Sequence, residues 1–144
     1  MKENKIMKKL FYILSWTWGI IMSLIGAVGA FVLTMAGYPS FKHGGSIVFR
    51  IGHNWGGVSL GMFSFVCEEA QEHTLNHEFG HALQNCLYGP LFPFIVAIPS
   101  AIRYWQFTIN MKKGIPNKEE YDAAWFEGQA TNWGTKMAQK WNNI

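Results

Sequence analysis

The sequence predicts a mainly α-helical membrane protein that carries a small β-hairpin. Hydrophobic residues make up 49% of the 144 positions and charged residues only 15%, whereas about a quarter of a typical soluble domain is charged. Seven Trp, eleven Phe and five Tyr add to this apolar content, and aromatic rings favour bilayer interfaces. In addition, a segment in the middle of the chain has the pattern of a helix and contains two histidines four residues apart. A chain of this length forms one domain at most.

The first predicted element is a membrane-spanning helix within residues 1–37. Four lysines lie in residues 1–9, and no charged residue follows in the run 10–37. About 20 apolar residues are enough to cross the hydrocarbon core of a bilayer. The lysines place the N-terminus in the cytoplasm. A cleaved signal peptide is the alternative, but its apolar stretch is normally about 7–15 residues.

Two strands and a long helix follow in the second region, residues 38–144. Ser46–Ile51 and Val58–Val66 are rich in strand-forming residues, and the glycine-flanked segment Gly52–Gly56 between them predicts a hairpin turn. Glu68–Tyr88 is the strongest helix, since acidic residues open it and Gly89-Pro90 ends it. The sequence therefore predicts a hairpin directly ahead of this helix.

The remaining apolar segment, residues 90–109, is interrupted by Pro93 and Pro99 and contains Arg103. It predicts either one distorted membrane crossing or a re-entrant or interfacial segment. A polar loop follows, and a final amphipathic helix is expected over Glu119–Trp141. Three lysines in or next to that loop weakly favour a cytoplasmic position for it, namely Lys112, Lys113 and Lys118.

The paired histidines belong to His77-Glu78-Phe79-Gly80-His81, which spells H-E-x-x-H inside the strong helix. Residues four apart on a helix project from one face, so both imidazoles can bind one tetrahedral zinc ion. Glu78 lies about 100° round the helix from His77. At that position it can take a proton from a metal-bound water without being a ligand.

A zinc site of this kind needs one more protein ligand and an open position for water. No histidine follows His81, and the acidic residues after it are Glu119, Glu120, Asp122 and Glu127. Glu119 and Glu120 fall at the predicted start of the last helix, where capping is a sufficient role. Glu127 lies within that helix.

The pairing of H-E-x-x-H with the later E-x-x-A-x-x-x-G resembles the gluzincin zinc peptidases, and most of all their membrane-embedded CAAX prenyl protease and bacterial heat-shock protease group. The resemblance implies a minimal zincin-like core made of the hairpin and two motif helices. It also implies that Glu127 is the third zinc ligand, with Ala130 and Gly134 matching the motif. The family's aspartate after the alanine is Thr131 here, whose hydroxyl could still accept a hydrogen bond from an imidazole.

Three further residues are candidates for contacts near such a site. His73 lies one turn before His77 on the same face and is expected either to ligate the metal or to face a substrate cleft or partner. Asn54, in the predicted turn, either shapes that turn or lies at the cleft rim. Arg103 either extends to the membrane interface or contacts substrate. Cys67 and Cys86 form no metal-binding pattern and are expected to be buried free thiols.

These expectations combine into a membrane-bound zinc endopeptidase with one Zn²⁺ per chain, acting on a membrane-associated peptide or protein. The N-terminal lysines and the resemblance place it in a bacterial inner membrane. The alternative is a non-catalytic membrane binding or scaffold protein with a structural or degenerate metal site. A small helical membrane protein that binds a partner and no metal is the third reading. No basic stripe interleaved with aromatics is present, which argues against nucleic-acid binding.

Overall fold

The computed structural model describes residues 1–117 and 119–143, so Lys118 and the topological expectation attached to it lie outside the described residues. Five helices and four strands account for most of the described chain. The helices are α1 Lys2–Ser15, α2 Ile20–Met35, α3 Glu72–Tyr88, α4 Ile98–Lys113 and α5 Trp125–Trp141. The strands are β1 Ser40–His43, β2 Ser46–Arg50, β3 Gly57–Leu60 and β4 Phe63–Val66. The protein is therefore mainly helical with a small sheet, as predicted.

The sheet differs from the single hairpin that the sequence predicts. Its strand order is β1-β2-β4-β3, and β2 pairs with β4 in parallel. The segment Gly52–Gly56 is thus a connection between strands and not a hairpin turn. The predicted strand Val58–Val66 is divided by a turn at Gly61, whose φ of 65° favours glycine, and its halves β3 and β4 form one hairpin. Strand β1, which was not predicted, forms the other hairpin with β2.

Residues 10–37 do not form the single continuous helix that the uncharged run predicts, because the chain breaks between α1 and α2 and turns by 87°. Polar contacts with α3 hold the break in place. The Trp18 indole donates to the Leu87 carbonyl at 3.2 Å, and the Asn85 side-chain amide donates to the Gly19 carbonyl at 3.1 Å. Hydropathy carries no information about such long-range hydrogen bonds, so the uncharged run predicts one continuous helix.

Helix α1 contributes side chains to the hydrophobic core. The Phe11 ring is 3% exposed and packs edge-on against Phe79 of α3 and Trp141 of α5. Ser15 is fully buried beside the Cys86 thiol. The two regions predicted from the sequence, 1–37 and 38–144, therefore do not pack as separate units, because residues of both belong to one hydrophobic cluster.

Among the described residues, no individual helix is long and apolar enough to cross a bilayer. Only two bent pairs of successive helical segments satisfy length and composition together: Lys2–Ser15 with Ile20–Met35, and Glu72–Leu91 with Pro93–Lys113.

Helices α3 and α5 approach each other at two glycines. A Cβ atom on Gly80 would overlap the backbone carbonyl of Ala130, and one on Gly134 would overlap that of Asn76. Both contacts involve backbone atoms, which cannot rotate away as a side chain can. This close packing carries the buried side chain of Glu127, near the start of α5, onto the face of α3 that bears the histidines.

The apolar segment after α3 folds back over the same face. A short 3₁₀ turn at Gly89–Leu91 and a π-helical turn at Pro93–Ala97 lead into α4, and the chain direction changes by 119°. Arg103 of α4 donates through Nε to the Tyr121 carbonyl and through Nη2 to the Glu120 carbonyl, each at 2.8 Å. After this bend, residues 93–113 run as one helical stretch through Pro99, and the choice between a membrane crossing and a re-entrant or interfacial segment for residues 90–109 stays a prediction.

Candidate metal centre

Two histidines of α3 and one glutamate of α5 meet in a buried cluster. The Nε2 atoms of His77 and His81 lie 3.1 Å apart. The Oε2 atom of Glu127 lies 3.0 Å from the first of these nitrogens and 3.7 Å from the second. The three residues are only 8%, 6% and 0% exposed. The structure thus brings together the two motif histidines and the glutamate that the family resemblance implies.

The hydrogen bonds of His81 show which of its nitrogens faces the cluster with a free lone pair. Its Nδ1 lies 2.7 Å from the side-chain oxygen of Gln84. The Gln84 nitrogen donates instead to the Phe126 carbonyl and to the Gln129 side-chain oxygen. The oxygen of Gln84 is therefore left to accept the Nδ1 proton, and Nε2 is left as an acceptor directed at the cluster.

His77 is held in the same tautomer by a threonine. Its Nδ1 lies 2.8 Å from the Thr131 hydroxyl, and that hydroxyl donates to Oδ2 of Asp122 at 2.7 Å. A hydroxyl has a single proton, so the threonine oxygen accepts from His77 Nδ1. Both imidazoles therefore donate from Nδ1 to a side chain behind them, which leaves both Nε2 atoms available to bind a cation.

The geometry and chemistry of these donors fit a metal ion. Neither carboxylate oxygen of Glu127 has a hydrogen-bond partner in the described part of the chain, although both are buried. A buried carboxylate without a partner is costly, and a cation would satisfy it. Ligands 2.0–2.1 Å from a tetrahedral ion lie about 3.3 Å apart, close to the three separations observed. The cluster could therefore hold a metal ion.

The charges in the cluster shift its pKa values. Burial lowers the pKa of His77, but nearby carboxylates, above all Glu127, outweigh burial and raise that pKa above its ordinary value. Burial raises the pKa of Glu127, but the two adjacent imidazoles outweigh it and hold that pKa below its usual range. Any proton that the neutral His77 takes up beside Glu127 would have to leave before a metal ion binds.

Glu78 is buried beside the cluster and faces the main cavity. The cavity has a volume of about 540 Å³ and is lined by Glu78, both motif histidines, strand β3 and helix α4. Burial raises the pKa of Glu78, and the opposing attraction of the two imidazoles does not cancel that effect. A carboxylate with a raised pKa holds a proton more firmly than a solvated one, which suits a group that accepts and returns a proton.

The glycine at the start of β3 leaves room for this carboxylate. A Cβ atom on Gly57 would lie 3.2 Å from Oε1 of Glu78 and 3.0 Å from its Cγ. The first residue of β3, an edge strand of the sheet, is therefore in contact with Glu78.

The other candidates from the sequence lie further out. His73 lines the cavity but its side chain is 68% exposed, and its nearest ionic partner is Asp122 at 3.8 Å. It is outside the three-ligand cluster. Asn54 and Arg103 do not line the cavity: the first has a left-handed φ of 58° in an exposed turn, and the second bonds backbone carbonyls. Cys67 and Cys86 are both buried thiols, as predicted.

Two side chains that hydrogen-bond behind the cluster, Gln84 and Asp122, are not identified by the sequence as supporting residues. Gln84 lies three positions after His81 on the same helix face, which is a signal that helical periodicity could have supplied. The sequence offers Asp122 only as one of the acidic residues that could be the third ligand. Its position relative to His77 depends on the turn before α5, and local sequence patterns do not specify that turn.

A comparison with known protein families, characterised proteins and solved structures finds no match for this chain. The resemblance to gluzincins therefore rests on its two short motifs.

Proposed function

We propose that this protein is a zinc metalloendopeptidase. The observation that carries the proposal is the buried cluster of His77, His81 and Glu127, in which three ligand atoms lie 3.0–3.7 Å apart with Glu78 next to it on one cavity wall. Two imidazoles and one carboxylate are a ligand set used by catalytic zinc, whose fourth position is left for water.

The chemistry divides between the ion and the chain's own residues. Zinc bound at this site would lower the pKa of a bound water toward about 7 and polarise the carbonyl of the scissile peptide. Glu78 would accept the proton that the attacking water loses and later deliver it to the amine that leaves. Gln84 and Thr131 hold the two imidazoles in the orientation and tautomer that ligation needs.

Strand β3 suits the binding of an extended peptide. It pairs with β4 on one side and ends the strand order of the sheet, and Gly57–Leu60 line the cavity next to Glu78. An extended peptide can add to such an edge through main-chain hydrogen bonds, which would place its backbone beside the metal cluster. We infer that the substrate is a peptide or an unfolded protein segment.

The proposal includes a membrane surface as a partner. Several apolar side chains of α2 are more than half exposed, among them Val28, Phe31, Val32 and Met35. Helix α1 carries lysines beside exposed Ile6 and Ile13. Exposed apolar residues next to lysines are typical of a helix that lies in the interface of an anionic bilayer.

Flotation with lipid vesicles tests this surface. The protein is expected to float with vesicles that contain anionic lipid, and Phe31→Asp with Val32→Asp should reduce the bound fraction because charge at these positions opposes burial in the acyl region. Val58→Asp, an exposed apolar position on the sheet, is the control. Equal flotation of all three proteins would contradict a membrane role for α2.

The peptidase proposal is tested by metal-dependent cleavage. The purified protein, supplied with zinc, is incubated with a pool of unstructured peptides, and products are identified by mass spectrometry. We expect cleavage that a chelator abolishes and added zinc restores, because the attacking water depends on the ion. Zinc binding without cleavage, together with unfolding on chelation, would instead favour a structural metal site.

A further inference from the structure

The residue that replaces the family's aspartate makes an additional contact. Thr131 stands where the E-x-x-A-D motif has its aspartate, and its hydroxyl lies 2.8 Å from Nδ1 of His77. The same hydroxyl donates to Oδ2 of Asp122 at 2.7 Å. A carboxylate is thus present behind His77, although it comes from a different part of the chain and is separated from the ring by a hydroxyl group.

We propose that Asp122 is a positioning residue for the metal site, which acts on His77 through the hydroxyl of Thr131. The proposal rests on the metal site of the proposed function. It assigns to the pair Asp122–Thr131 the support of a metal-binding histidine that the resemblance implies for the aspartate after the alanine.

The direction of the two hydrogen bonds supports this role. Ionised aspartate has only acceptor atoms, so the proton between it and Thr131 belongs to the threonine. The threonine oxygen is then an acceptor toward Nδ1 of His77. A hydroxyl that donates to a carboxylate becomes a stronger acceptor itself, which makes the opposite ring nitrogen a better ligand for a cation.

Asp122 does not act on His77 by direct contact. Its Oδ1 lies 3.9 Å from Nδ1 of His77, which is too long for a hydrogen bond. The other group that faces its carboxylate is His73, whose Nε2 is 3.8 Å from Oδ2 and whose side chain is 68% exposed. The threonine is therefore the hydrogen-bonded connection between the carboxylate and the imidazole.

The backbone around Asp122 is held by contacts with helix α4. The aspartate lies in the 3₁₀ turn Tyr121–Ala123 directly before α5. Arg103 of α4 donates to the carbonyls of Glu120 and Tyr121, and its guanidinium lies over the Tyr121 ring at 5.7 Å. Arg103 thus holds the turn that presents Asp122, and the two roles that the sequence suggests for it stay predictions.

Metal affinity measures the proposed connection without any need for turnover. The Kd for Zn²⁺ is determined by competition with a chromophoric chelator for the parent protein and two Thr131 variants. Thr131→Val removes the hydroxyl at nearly constant volume, and we expect binding about 10–100-fold weaker. Thr131→Ser keeps the hydroxyl and should stay within about 2-fold of the parent. Equal affinity of the valine and parent proteins would overturn the proposal.

Asp122 variants test whether the carboxylate acts through the threonine. Asp122→Asn should weaken zinc binding about 10-fold or more in the parent, whereas Glu120→Gln, an exposed neighbour, should not. In a Thr131→Val background, Asp122→Asn should add less than about 2-fold, because the connection is already broken. An equal loss in both backgrounds would show that Asp122 acts only through its general charge and would overturn the proposal.

A rescue variant distinguishes positioning from a loss of folding. Asp122→Asn combined with Thr131→Asp places a carboxylate directly against His77, as in the family motif, and should recover most of the lost affinity. A structural defect at residue 122 would not be repaired in this way. If the parent protein itself binds no zinc, the proposed metal site fails; if it binds zinc and the variants behave alike, only the role of Asp122 fails.

Discussion

Glu78→Gln is expected to lower peptide cleavage about 10²–10⁴-fold while zinc binding stays close to that of the parent. The glutamine side chain has nearly the same volume and fits the buried position between α3 and Gly57. It cannot accept a proton at neutral pH, so the attacking water keeps its proton. Because Glu78 is not one of the three ligands, the metal cluster should be unaffected.

The measurement pairs the cleavage rate with the zinc Kd of the same preparation. Glu72→Gln is the matched control, since it removes an exposed carboxylate from the first turn of the same helix and should change neither quantity. Unchanged cleavage by Glu78→Gln would remove Glu78 from the mechanism. Loss of zinc together with activity would mean that Glu78 is needed for the metal site itself.

Local sequence patterns predicted the parts of the site that depend on one helix at a time. The spacing of His77 and His81 fixes their common face, and α3 ends at Tyr88 as the following Gly-Pro pair predicts. The amphipathic pattern places Glu127 in the last helix, although that helix begins at Trp125 and not at Glu119, so Glu127 lies in its first turn. Its contact with the histidines does not follow from that pattern, because it depends on how closely α3 and α5 pack at Gly80 and Gly134.

The sequence was least informative where long-range pairing decides the structure. The parallel pairing of β2 with β4 joins strands that are not consecutive, and no local signal distinguishes it from a hairpin between neighbours. The uncharged run at 10–37 satisfies the length rule for a membrane span, yet Phe11 and the bonds at Gly19 and Trp18 tie it to α3. Hydropathy measures the average character of a segment and not the direction in which individual residues point.

Asp122 is a further case in which local sequence patterns do not reveal a long-range contact. Its chemistry was visible in the sequence, but its function depends on the turn that precedes α5 and on Arg103, which lies on another helix. The departure from the family motif at Thr131 was visible as well. The compensating carboxylate appears only when the two segments are placed together.

Glu127→Ala is expected to abolish stable zinc binding. Removing a carboxylate leaves two imidazoles on one helix as the only protein ligands of the cluster, and the loss should exceed the roughly 100-fold effect of a supporting contact. The fold should persist, because α5 also packs through the buried residues Ala130, Gly134, Ala138 and Trp141, and circular dichroism checks this. Glu120→Ala removes an exposed carboxylate a short distance away and should retain zinc.

The most direct measurement is the zinc content per chain of the parent protein, His77→Ala, His81→Ala and Glu127→Ala, determined by mass spectrometry after dialysis against dilute zinc. The parent is expected to hold one ion per chain, and each variant close to none at the same concentration. A parent without zinc, or a Glu127→Ala protein that still holds one ion per chain, would contradict the three-ligand site.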